Sequence, residues 1–112
     1  MTWTVSASSS GTAYAASVTT TIFNSTGNGT FVFAIDTTNM INGDLFSVKI
    51  GTTCTSVTTS PVQAWKGTWQ HAQLNPIKFS PPIASPGVIL NVSLVNTALT
   101  TTETFPWQLL SI

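Results

Sequence analysis

The chain has 112 residues, 42% hydrophobic and 10% aromatic, which is enough apolar material for one packed domain spanning 1–112 and too much for intrinsic disorder. Only 5% of residues are charged and the net charge is zero. Three scattered lysines and no arginine argue against a nucleic-acid partner or an anionic membrane surface, because both need clustered basic side chains.

No apolar run approaches the roughly 20 residues of a membrane span. The start, Met1-Thr2-Trp3-Thr4-Val5, has neither a basic stretch nor a continuous apolar one, so no secretory signal is expected. Synthesis in the cytoplasm followed by assembly fits these absences. The single Cys54 rules out an intrachain disulfide and is expected to be a small buried residue. The sequons at Asn24, Asn28 and Asn91 are then coincidences of a chain rich in threonine and serine.

In chain order, Trp3, Val5 and Ala7 alternate with polar residues, and Ala16, Val18, Thr20 and Ile22 repeat the pattern, so each stretch predicts a strand. Asn24-Ser25-Thr26-Gly27-Asn28-Gly29 predicts a turn at which the chain reverses. In Thr30–Asp36 both faces are apolar, Phe31, Phe33 and Ile35 on one and Val32 and Ala34 on the other, which predicts a central strand. A connection over 37–43, with a helical turn at Met40 and Ile41, leads to a strand over Asp44–Ile50.

A polar loop is expected over Gly51–Pro61, then a strand over Val62–Ala72 with Trp65, Gly67, Trp69 and His71 on one face. Pro81-Pro82 stops the short segment Ile77–Ser80 and places it at an edge or corner, because proline cannot donate to a ladder. Val88–Asn96 and Thr104–Ile112 complete about eight short strands. The fold class expected is all-β, an antiparallel β-sandwich or jelly-roll-like barrel.

Catalytic chemistry is not expected. Asp36, Asp44 and Glu103 have no spacing that forces two carboxylates together, and Asp36 and Asp44 flank strands where turn and cap roles are usual. His71 is the sole histidine and is expected to be structural, and no spacing suggests a metal or cofactor site. Trp65 and Trp69, with Gly67 between them, are candidate partner-binding residues, His71 beside them. They could serve as a sugar-stacking platform or a protein anchor if that face is open, and as core if it packs inward; periodicity does not choose between the faces.

One resemblance adds to this. The segments Phe31–Asp36, Met40, Asn42–Ile50, Asn75–Pro82 and Thr104–Ile112 resemble a recurring pattern in small structural proteins of tailed bacteriophages. In that pattern a strand ending in Asp is followed by a Gly-Asp that opens a second strand carrying a basic residue. Asn96–Glu103 departs from it, lacking the glycines and basic residue found there. The resemblance implies a virion protein without catalytic residues. As a capsid cement or decoration protein it would bind the major capsid protein or other virion proteins, as a trimer or other small homo-oligomer. A tail or neck component, and a carbohydrate-binding module using Trp65 and Trp69, are the alternatives.

Overall fold

The computed structural model describes residues 3–9, 13–14, 18–53, 60–98 and 103–112. Among the described residues nine strands run in chain order: β1 (Thr4–Ser9), β2 (Ala13–Tyr14), β3 (Val18–Asp36), β4 (Leu45–Thr52), β5 (Val62–Gln70), β6 (Ile77–Phe79), β7 (Ile83–Ala98), β8 (Glu103–Thr104) and β9 (Trp107–Ser111). Among the described residues there is no helix. Seven strands form one antiparallel sheet in the order β1-β9-β3-β7-β4-β5, with β6 also on β3, and β2 pairs with β8. The all-β expectation holds.

The strands are not uniformly short. Asn24–Gly29 is no reversal: the chain runs through it as the 19-residue β3, antiparallel to the 16-residue β7 from Val18↔Asn96 to Phe31↔Ile83. The glycines permit a close approach and a bend instead. A Cβ at Gly27 would lie 3.0 Å from the Phe31 ring and 3.2 Å from Ser85 Oγ. The register slips between Gly27 and Asn28, and Gly29 takes a φ of 139°. Opposite them Pro86 and Gly87 (φ 73°) interrupt β7, so both strands change direction together.

This bend divides the sheet. On one side the first half of β3 pairs with β7, then β4 and β5; on the other, Phe31–Ile35 pairs with β9, then β1, while β6 flanks Ala34–Asp36. The inner faces meet in one core, where Phe33, Ile35 and Leu109 join Phe46, Val48, Leu90, Val92 and Leu94. Phe46 stacks on Phe105 with centroids 4.8 Å apart. The molecule measures 39 × 31 × 19 Å along its principal axes.

Local chemistry holds the connections in place. The expected helical turn is replaced by two tight turns, with Met40 N–H donating to Thr37 O (2.9 Å) and Asp44 N–H to Ile41 O (3.1 Å). Asp36 Oδ1 accepts from Thr38 N–H (2.9 Å) and Asp44 Oδ2 from Ile41 N–H (2.9 Å), the turn roles expected of both. Between β6 and β7, Pro81 and Pro82 have no N–H to offer. Ser80 bridges the break: its N–H donates to Phe33 O (2.8 Å) and its hydroxyl accepts from Phe33 N–H (2.9 Å). The expectation for Cys54 falls outside the described residues.

Candidate functional site

The half of the sheet built from β6, the end of β3, β9 and β1 has an outer face that no other strand among the described residues covers. Side chains alternate across a strand, so once Phe31, Phe33, Ile35, Trp107 and Leu109 point inward, Val32, Ala34 and Leu110 must point out. Registered neighbours extend the face: Val5 and Val32 both pair with Leu110, and Ala34 pairs with Phe79. Ile77, two residues from Phe79 on β6, faces the same way. Phe79 is 61% exposed, Val5 53% and Ile77 50%.

Two hollows give this face relief. A groove of about 480 Å³ runs among Ser8, Ala34, Ile77, Phe79, Gln108 and Leu110. A second, of about 340 Å³, lies among Trp3, Val32, Phe79 and Leu110. Phe79 and Leu110 stand between the two, so the hollows form one apolar relief with Asp36 as the charged residue on its rim. Contiguous apolar surface of this kind on a small domain marks a protein contact or a ligand groove.

Trp65 and Trp69 are not on this face. Both are half-buried and pack against the core cluster from β5. Trp69 lies 5.8 Å from Phe46, and the two indoles lie 6.4 Å apart at 53°. The gap at Gly67 is filled by the indoles themselves: a Cβ there would lie 2.6 Å from Trp65 Cη2 and 2.9 Å from Trp69 Cη2. The inward reading of this pair matches its packing.

His71 does not share the tryptophan face. β5 ends at Gln70, and His71 takes a φ of 65°, which turns it out of the strand. There its Nδ1 accepts from Gly43 N–H (2.9 Å) while its own N–H donates to Asp44 O (2.8 Å). An acceptor Nδ1 puts the proton of the neutral ring on Nε2. The side chain ties the Asn42-Gly43 turn to the end of β5. Among the described residues no three His, Cys, Asp or Glu side chains gather as a metal site, and no helix is long and apolar enough to cross a membrane.

The apolar outer face carried a sequence signal, the double apolar character of Thr30–Asp36. That pattern suggests a strand covered on both sides, yet the described residues pack against only one. No family model, curated protein or solved structure matches this chain.

Proposed function

We propose that this protein is a structural component of a tailed-bacteriophage virion, a capsid cement or decoration protein that holds to the head through protein–protein contacts. The observation that carries the reading is the open apolar face of β6, β3, β9 and β1, centred on Phe79 and Leu110. The segments resembling phage structural proteins, Phe31–Asp36, Asn75–Pro82 and Thr104–Ile112, supply three of its four strands. A chain with six charged side chains and zero net charge meets little self-repulsion when packed in many copies, which favours life in an assembly. Its partners are then the major capsid protein or a neighbouring virion protein, together with further copies of itself in a small homo-oligomer. The role needs no catalytic group or cofactor.

Mass spectrometry of purified virions tests this reading. The protein should be present in many copies per particle and should co-sediment with heads. Recovery with tails alone would move it to a tail or neck position, and absence from particles would overturn the reading.

A further inference from the structure

The opposite outer face, on the half built from β3, β7, β4 and β5, differs chemically. Its cross-strand rows contain hydroxyls, amides and lysines: Thr21–Ser93–Lys49–Lys66 forms one row and Asn24–Asn91–Gly51–Gln63 the next. Lys49 and Lys66, two of the chain's three cations, are direct cross-strand neighbours, an arrangement that is repulsive unless something negative lies over it. A dimple of about 100 Å³ opens between these rows, lined by Lys49, Gly51, Pro61, Gln63, Asn91 and Ser93.

The chain supplies no carboxylate there. Asp44 and Glu103 are buried elsewhere, and Asp36 lies at the end of β3 in the other half of the sheet. Lys49 and Lys66 are both exposed. Ser93 Oγ donates to Asn91 Oδ1 (3.0 Å), which uses the Ser93 proton and one lone pair of the amide oxygen and leaves the two N–H groups of the Asn91 amide to donate. The dimple therefore offers the Lys49 ammonium and the amide N–H groups of Asn91 and Gln63 to an anion. A space of this size holds about three waters, so it suits a single carboxylate group better than a drug-sized ligand.

We infer that this dimple and the Lys49/Lys66 pair receive an acidic side chain, Asp or Glu, from the surface of a partner protein. The inference rests on the proposed role for the identity of that partner, but not for the chemistry of the site. The molecule is then two-sided, with an apolar contact on one outer face and a charge-directed contact on the other. Two lysines are too few to track a nucleic-acid backbone, while a carboxylate seated in the dimple meets Lys49 and the neighbouring amides, with Lys66, the cross-strand partner of Lys49, adding its charge from beside it.

Titration of isotope-labelled protein with a hexaglutamate peptide, against sodium chloride at matched ionic strength, tests the site by amide chemical shifts. Saturable shifts are expected at Gly51, Gln63, Lys66 and Ser93, weakening as salt rises. Affinity should fall at least tenfold in the Lys49→Gln/Lys66→Gln double variant, with Lys66→Gln alone as the milder control. No saturable shift, undiminished binding by the double variant, or tighter binding of a thymidine oligonucleotide of equal charge would overturn the inference. Virions lacking the protein, with the hexaglutamate shifts present, would remove the virion role and leave the site; virions containing it, without the shifts, would do the reverse.

Discussion

Phe79→Thr separates docking from folding. The substitution puts a β-branched strand former in place of the aromatic one in β6 and removes the ring from between the two hollows. Complete burial of a phenylalanine is worth about 1.5–3 kcal/mol. Phe79 is 61% exposed, so most of that free energy is still to be gained on docking. The exposed share corresponds to about 1–2 kcal/mol. Loss of that share weakens attachment by about five- to thirty-fold. The share already buried costs the isolated domain about 1 kcal/mol, or about 5 °C in melting temperature. Binding of purified protein to particles lacking it, read alongside a thermal melt, separates the two effects. Attachment within twofold of wild type, with the melt lowered as expected, would refute the assignment of this face.

Three further substitutions probe the interior. Asn96 is buried with neither amide atom hydrogen-bonded, so Asn96→Leu should hold or raise stability, by about 1–3 kcal/mol at most; a loss above about 1 kcal/mol in denaturant titration would contradict it. Ser80→Ala removes the acceptor for Phe33 N–H beside the proline break and should cost about 1–3 kcal/mol, measured the same way; no change would mean the hydroxyl is dispensable there. Gly67→Ala forces a methyl group against both indoles, so tryptophan emission should shift to the red and the near-ultraviolet dichroism should weaken, whereas unchanged spectra would place the rings elsewhere than over Gly67.

The parts of the fold legible in the sequence are those where alternation and burial agree. Phe46, Val48 and Ile50 on β4, and Leu90, Val92 and Leu94 on β7, face the core as their spacing predicts. Glycine was the misleading residue. Asn-Gly pairs signal reversals because they tolerate positive φ, but Gly27 and Gly29 serve a bulge and a close ring contact, and which use applies depends on Phe31 and Ser85, the latter distant in sequence. His71 was misplaced for a similar reason: alternation continues formally through it, while a hydrogen bond to Gly43, 28 residues away, turns it aside. The candidate site was half legible. The two apolar faces of Thr30–Asp36 were visible, but that one would stay open depends on how the sheet bends, and no local pattern encodes that.

β3 passes through both halves of the sheet, with β7 beside it from Val18 to Phe31, and this has a mechanical consequence. Their ladder hydrogen bonds lie across the strand direction, so a pull along β3 against β7 loads the thirteen registered pairs of residues side by side. If particle contacts grip the two outer faces, tension between them runs along β3, which these pairs hold to β7 over Val18–Phe31, not through a loop or a hinge. A single-molecule pull between the faces should then show one rupture at high force, in contrast to two successive releases as each half opens by itself.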